Sequence, residues 1–124
     1  MLLFGRVKGL GPSKILEQTV DYYIDSMDLR NNWSTLADKL SGGNKRKLCV
    51  ANSLIGGPRL QFFDEPSTGL DPIAKRYLWQ SLSQNIRDKQ SSIVLTTHSM
   101  AEAENLCDKV GILVNGRFVC LDPL

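Results

Sequence analysis

The chain of 124 residues is poor in the features that define several large protein classes. It contains no apolar run near the roughly 18 residues that a membrane-spanning helix needs. A glycine and an arginine follow its first four residues at once, which is not the pattern of a secretory signal peptide. Its three cysteines, Cys49, Cys107 and Cys120, lack metal-ligand spacing, and their odd number disfavours a disulfide framework. We expect reduced core thiols in a protein that faces the cytosol.

An excess of one charge is also missing. The 15 Lys and Arg residues nearly balance the 13 Asp and Glu residues, so the net charge is only +2. Lys45, Arg46 and Lys47 form a short basic cluster, which we interpret as a solvated helix face. Charge therefore predicts no nucleic-acid partner. The length allows one small domain.

Hydrophobic periodicity and turn residues predict a mixed fold. Apolar residues from Leu16 to Met27 recur at three- and four-residue steps, which is typical of an amphipathic helix. Residues 60–63 are too few for a helix and are predicted to be a buried parallel strand. Residues 92–96 are predicted to be the next strand. Asp71 before Pro72 predicts a helix start, and Asn115-Gly116 predicts a hairpin between residues 109–114 and 117–121. The order helix, strand, helix, strand, helix, hairpin indicates an α/β fold.

Two acids follow the first predicted strand directly. Asp64 and Glu65 stand where α/β folds place ligands, at the carboxyl end of a strand. One carboxylate could bind Mg²⁺, which prefers oxygen ligands, and the other could deprotonate a water molecule. The structural alternative is a pair of acids that caps a loop.

Two further segments carry possible phosphate chemistry. Ser41-Gly42-Gly43 precedes a predicted helix whose N-terminus favours anions, although a serine N-cap on a glycine turn explains the same residues. His98 is the single histidine, and it lies between a predicted strand and a helix with a capping-box spacing. Parallel strands ending at residues 64 and 96 would bring His98 near Glu65. A structural histidine is the alternative.

The order of these segments resembles that of the ATP-binding-cassette (ABC) ATPases. The resemblance rests on residues 40–44 (LSGGN), 62–66 (FFDEP), 67–72 (STGLDP) and 97–99 (THS). It extends over essentially the whole chain. Residues 42–48 and 115–118 are most similar to the A subfamily of eukaryotic ABC transporters, which are large lipid exporters.

The resemblance implies a role for each motif residue. Ser41, Gly42 and Gly43 match the signature loop, which in this family contacts the γ-phosphate of an ATP held by the opposite domain. Asp64 matches the Walker B aspartate that supports Mg²⁺, and Glu65 matches the catalytic base. Asp71 matches the D-loop aspartate at the dimer seam. His98 matches the switch histidine that contacts the γ-phosphate.

Some residues depart from the family pattern. Asn44 stands where many cassettes have glutamine, and Gln61 interrupts the apolar strand, so we expect Gln61 to lie near a sheet edge or to face a loop. No G-x-x-x-x-G-K-[ST] motif is present. We expect the phosphate loop, the Q-loop glutamine and the adenine-stacking aromatic to lie upstream of Met1. Residues 1–124 are thus interpreted as a partial ABC ATPase domain of the P-loop NTPase fold.

This partial domain is expected to have two parts. Residues 1–55 form a helical signature part, and residues 56–124 carry Walker B, the D-loop, the switch histidine and part of a mostly parallel sheet with a C-terminal hairpin. Without the rest of the sheet, we expect exposed apolar faces and an unpaired strand edge beside residues 60–63.

The expected function is ATP binding and hydrolysis with Mg²⁺, coupled to transmembrane transport, of lipid by resemblance. The expected partners are a second ABC nucleotide-binding domain and the transmembrane domains, at the cytosolic face of a membrane. The 124-residue segment alone is expected to be inactive as an ATPase. The alternative is a non-catalytic module that docks its signature motif on a complete cassette. A chromosome-maintenance ATPase is disfavoured, because heptads are absent.

Overall fold

The computed structural model describes residues 1–89 and 91–123. Helices and strands alternate over most of this length, as the sequence predicts. The elements are α1 (Leu2–Val7), α2 (Lys14–Ser26), the 3₁₀ turns Arg30–Asn32 and Ala37–Lys39, α3 (Gly42–Leu54), β1 (Leu60–Asp64), α4 (Pro72–Lys89), β2 (Ser92–Thr96), α5 (Met100–Leu106), β3 (Lys109–Val114) and β4 (Arg117–Pro123).

Short polar side chains begin the main helices. Ser13 caps α2, and its Oγ accepts a hydrogen bond from the backbone of Leu16. Ser99 caps α5 in the same way, accepting from the N–H of Glu102. The capping box that the sequence predicts is only half formed, because the Glu102 carboxylate accepts from Trp79 Nε1 at 3.0 Å instead. Tertiary packing against α4 therefore takes this side chain away from its local partner.

The strands form two separate pairs. β1 and β2 are parallel, in register from Leu60 opposite Ser92 to Asp64 opposite Thr96, which confirms that both strands end at the same edge. β3 and β4 form an antiparallel hairpin. Its turn residues Asn115 and Gly116 have φ of 50° and 75°, the left-handed conformation that an Asn-Gly hairpin turn requires.

The hydrophobic core lies between the helices. Helices α2, α3 and α4 supply most of its buried side chains, so it draws on both sides of the boundary predicted at residue 55. The buried members are Leu16, Val20, Tyr23, Met27, Leu29, Val50, Ala51, Leu54, Ile55, Leu70, Ala74, Leu78 and Leu82. The division into two parts stays a prediction.

A buried polar network joins the helices to β1. The Tyr23 hydroxyl donates to the carbonyl of Leu54 at 3.2 Å and accepts from Asn85 Nδ2 at 2.7 Å. Asn85 Oδ1 accepts in turn from Gln61 Nε2 at 3.3 Å. Gln61 also donates to the carbonyl of Pro58 at 3.1 Å, so this amide does face a loop, as expected, while its side chain is buried. These bonds satisfy polar groups whose burial is otherwise unfavourable.

Apolar side chains are exposed on both strand pairs. On one face of the β1–β2 pair, Leu60, Phe62 and Val94 are exposed by 54%, 73% and 51%. The hairpin also exposes apolar residues on both strands: Ile112, Leu113, Val114, Phe118, Val119 and Leu121. This agrees with the expected uncovered faces of an incomplete sheet. Among the described residues, no helix has the length and apolarity to cross a membrane.

The cysteines are free thiols, but their placement differs from the prediction. Cys49 is exposed, and Cys107 and Cys120 are half-buried. The expectation of core thiols is therefore wrong for Cys49, and Cys107 and Cys120 do not belong to the buried core either. Cys49 lies on the solvent side of α3, whose buried residues are Lys47, Val50, Ala51 and Leu54.

The Tyr23 hydroxyl predicts how stability responds to alkali. Burial raises the pKa of Tyr23 to about 12, whereas a tyrosine in an unfolded chain ionises near 10. Between these values only the unfolded chain ionises, so the free energy of unfolding falls as pH rises from about 10 to 12. Tyr23→Phe should lower stability at pH 7 by roughly 1–3 kcal/mol, because Asn85 and the Leu54 carbonyl lose a partner.

Urea unfolding followed by circular dichroism at pH 7 and pH 11 measures both effects. Tyr77→Phe is the control, since Tyr77 is exposed on α4. Equal stability of the two variants at pH 7 would contradict the prediction.

Candidate functional site

The acid pair at the end of β1 is fastened to the end of β2. Thr96 Oγ1 donates a hydrogen bond to Asp64 Oδ1. The Glu65 N–H donates to the Thr96 carbonyl at 3.0 Å and to Thr96 Oγ1 at 3.1 Å. Thr96 therefore orients both acids. Thr96 is not among the site residues predicted from sequence, although its position as the last residue of a strand parallel to the Asp64 strand is a usable signal.

Glu65 has an unusual backbone. Its φ is 44°, in the left-handed region that few non-glycine residues adopt. Its carbonyl accepts from the Thr68 N–H at 3.2 Å, which closes a tight turn. This turn directs the side chain back toward the strand edge, where Oε2 accepts from Thr68 Oγ1 at 2.9 Å and Oε1 lies 3.3 Å from His98 Nδ1. The structure thus brings Asp64, Glu65 and His98 to one edge.

Hydrogen bonds favour the ionised form of Glu65. The Thr68 hydroxyl, and after it His98, lower the pKa of the Glu65 carboxyl, while the charge of Asp64 acts in the opposite direction. An ionised carboxylate accepts hydrogen bonds and can take up a proton. The side chain is 45% exposed and that of His98 is 72% exposed, so both groups are open to a ligand.

The signature residues lie on a different element. Ser41 is the N-cap of α3, and its Oγ accepts a hydrogen bond from the N–H of Asn44 at 3.2 Å. The serine N-cap given as the alternative in the sequence analysis is therefore present. Gly43 lies against Leu70, since a Cβ added to it would be 3.4 Å from Leu70 Cδ2. Ser41 and Gly42 are exposed. The first turn of α3 therefore presents backbone N–H groups at an open helix N-terminus.

The basic cluster at the start of α3 does not form a solvated face as interpreted from sequence. Arg46 Nη1 donates to the carbonyl of Glu65 at 2.7 Å. Lys47 is buried, and its Nζ donates to the carbonyl of Asp28 at 3.1 Å. Both side chains are long enough to reach carbonyls outside their own helix, which local sequence does not reveal. Arg46 physically links the signature helix to the acid pair.

Asp71 caps the next helix. Its Oδ1 accepts from the backbone N–H groups of Ile73 and Ala74, both at 3.0 Å. These bonds, with the one from Ala74 first, lower the pKa of the Asp71 carboxyl. Its structural role is therefore that of the N-cap that the Asp-Pro pair predicts.

The residues present fit a divalent cation that takes most of its ligands from water and phosphate and few from the protein. Within residues 1–89 and 91–123, no group of three or more His, Cys, Asp and Glu side chains is arranged to hold a metal ion. Mg²⁺ is usually bound by one or two carboxylates and completes its shell with water and phosphate oxygens. Asp64, with the Thr96 hydroxyl beside it, provides hard oxygen donors of that kind.

Comparisons with known proteins identify the family and the fold of this chain. The family described as "ABC transporter" matches residues 8–68. "Cholesterol transporter ABCA5" of Mus musculus is 39% identical over 119 residues, 96% of this chain. "ABC transporter A family member 4" of Arabidopsis thaliana is 46% identical over 123 residues, 98% of this chain. The structure of an ATP-binding subunit of an ABC transporter superposes with a TM-score of 0.82 at 28% identity and covers 99% of this chain.

The chain belongs to the ABC transporter family, in the A subfamily. Its fold is that of part of an ABC ATPase domain. The chain spans 7% of the Mus musculus relative and 13% of the Arabidopsis thaliana relative. It spans 52% of the solved ATP-binding subunit, so the other half of that domain has no counterpart within these 124 residues.

The Asp71 cap predicts a response to acid. Because its pKa is lowered in the folded chain, the charge of Asp71 stabilises the fold above about pH 4, the ordinary aspartate value. That contribution is lost as pH falls through the folded-state pKa. Asp71→Asn keeps an N-cap acceptor but removes the charge. The variant should melt below the parent chain at pH 7 and at nearly the same temperature at pH 2.

Thermal melts at both pH values test this behaviour. Asp38→Asn serves as control, since Asp38 is exposed in the 3₁₀ turn Ala37–Lys39. A melting difference between parent and Asp71→Asn that is the same at pH 7 and pH 2 would be inconsistent with a charge-dependent cap.

Proposed function

We propose that this chain provides the acid, base and trans-acting residues of a Mg²⁺-dependent ATPase site in an A-subfamily ABC transporter. The observation that carries the proposal is the position of the Glu65 carboxylate, held between Thr68 Oγ1 and His98 Nδ1 at the edge where Asp64 also lies. Two carboxylates with separate anchors suit two tasks, namely cation binding and proton transfer.

Each residue at this edge has an assigned step. The Glu65 carboxylate accepts a proton from a water molecule as the water oxygen bonds to the γ-phosphorus and the bond to the ADP oxygen breaks. His98 contacts the γ-phosphate and keeps the Glu65 carboxylate in place from the β2 side. Asp64 would hold Mg²⁺, which would neutralise charge on the phosphate oxygens. Removal of the water proton leaves phosphate and ADP as products.

Ser41, Gly42, Gly43 and Asp71 are proposed to act on ATP held by a second nucleotide-binding domain. The exposed N-terminus of α3 supports this role, because free N–H groups and the helix dipole attract a phosphate. The sequence contains no G-x-x-x-x-G-K-[ST] loop. The phosphate cradle and its lysine are therefore proposed to come from residues outside these 124.

The work coupled to hydrolysis is proposed to be lipid transport. Relatives carry the names "Cholesterol transporter ABCA5" and, in Rattus norvegicus, "Phospholipid-transporting ATPase ABCA3". This chain covers only 7% of the length of each of these two relatives. The proposal thus includes transmembrane domains as partners and a position at the cytosolic face of a membrane.

A non-catalytic interaction module is the second candidate. The exposed apolar face of Leu60, Phe62 and Val94 favours it, since such a face is a contact surface when it is contiguous. In this case the chain would bind a complete cassette domain through its signature loop without supporting turnover.

Turnover distinguishes the two candidates. In a complete A-subfamily transporter that carries these 124 residues as its matching segment, Glu65→Gln should lower ATPase kcat by about 10²- to 10⁴-fold, the usual contribution of a general base. Glu104→Gln, an exposed acid on α5, is the control and should leave kcat unchanged. The 124-residue chain alone should show no ATPase activity.

Full ATPase activity of the Glu65→Gln variant would contradict the proposal that Glu65 is the catalytic base. The interaction module would gain support if the 124-residue chain bound complete cassette domains only with ATP and Ser41→Arg abolished that binding. Thr35→Arg, in the exposed loop before α3, is the matched control for that experiment.

A further inference from the structure

Arg46 is the side chain that connects α3 to the strand edge that carries Asp64 and Glu65, called here the acid edge. It lies in the second turn of the helix, five residues after the N-cap Ser41. Its Nη1 donates to the backbone carbonyl of Glu65 at 2.7 Å, and the contact is partly buried. A guanidinium donor makes this a charge-assisted hydrogen bond, which is shorter and stronger than a neutral one.

The accepting carbonyl belongs to a residue with a strained backbone. Glu65 has a φ of 44°, a conformation that a non-glycine residue keeps only when its surroundings hold it. Three residues hold this backbone conformation here. Thr96 accepts the Glu65 N–H, and the Glu65 carbonyl accepts from both Thr68 N–H and Arg46 Nη1. Only the Arg46 bond, of these, comes from the helix that carries the signature residues.

The direction of the Glu65 side chain depends on that backbone. The carboxylate reaches Thr68 Oγ1 and His98 Nδ1 from the left-handed conformation. A return to the common right-handed region would rotate Cβ and carry the carboxylate away from both groups. A donor that fixes the carbonyl therefore also fixes where the base is directed.

The neighbouring lysine has a different attachment. Lys47 Nζ donates to the carbonyl of Asp28, just beyond α2. Adjacent basic residues thus tie α3 in two directions, to the end of α2 through Lys47 and to the Glu65 turn through Arg46. A shift of α3 relative to β1 strains the Arg46 bond directly.

We propose that Arg46 is a positioning residue, which transmits the position of the signature helix to the Glu65 carboxylate by holding the Glu65 carbonyl. This inference rests on the proposed function, in which Ser41 contacts ATP and Glu65 is the base. Arg46 contacts the backbone carbonyl of Glu65, and in this proposal it touches neither ATP nor the Glu65 carboxylate. Its effect is on the fraction of time that the base is correctly placed, and so on kcat more than on KM for ATP.

Substitution in a complete A-subfamily transporter carrying these 124 residues tests the proposal. Arg46→Met should lower ATPase kcat by about 10- to 100-fold, as loss of an orienting partner does, with KM for ATP changed less than about 2-fold. Arg46→Lys keeps a cationic donor and should recover most of kcat. Arg76→Met, an exposed arginine on α4, is the matched control and should behave as the parent.

Melting temperatures of every variant show whether loss of activity is loss of folding. If Arg46→Met does not fold, Arg46→Gln replaces it, since an amide keeps a neutral donor; a reduced kcat at unchanged KM again supports positioning. Equal kcat in parent and in a folded Arg46→Met or Arg46→Gln variant overturns the proposal. So does a matching loss in Arg46→Lys and Arg46→Met.

Glu65→Gln measured in parallel separates this proposal from the one it depends on. If Glu65→Gln is inactive while Arg46→Met is fully active, the proposed function stands and the positioning role fails. If Glu65→Gln retains full turnover, both fail.

Discussion

The parallel pairing of β1 with β2 is the interaction on which the rest of the site depends. It places Asp64 opposite Thr96, so one threonine hydroxyl can donate to Asp64 and accept from the Glu65 N–H. A slip of one residue would turn every side chain of β1 to the opposite face. Phe63 would leave the core and Gln61 would lose Asn85. Packing on one face of the strands therefore sets the chemistry at their ends.

The two faces of this pair are under opposite constraints. The inner face packs on the helices and includes a polar network through Gln61, Asn85 and Tyr23. Its bonds offset part of the cost of burying these groups, while Gln61 Oε1 stays buried without a hydrogen bond. The outer face exposes Phe62 and Val94. Exposed apolar surface of this kind is suited to contact with another surface. The helical side of the chain, in contrast, contains the buried core.

Much of this architecture follows from local sequence, because its signals are local. Asp71 before Pro72 and Asn115 before Gly116 determine their own caps and turns, and the apolar runs locate the strands that bring His98 to Glu65. Contacts made by long side chains across elements do not follow. Nothing near Arg46 in the sequence indicates the Glu65 carbonyl, and nothing near Glu102 indicates Trp79. Such bonds exist only once the helices have packed.

The electrostatics of the acid edge show which effects prevail there. Asp64 and Glu65 are adjacent, and the charge of Asp64 raises the pKa of Glu65, which alone would favour protonation of one of them. The hydrogen bond from Thr68, followed by the one from His98, outweighs that repulsion and lowers the pKa. These hydrogen bonds therefore favour the ionised form of Glu65 directly beside Asp64. Adjacent carboxyl groups at an exposed edge are suited to a divalent cation, whose positive charge would relieve the repulsion that Asp64 exerts on Glu65.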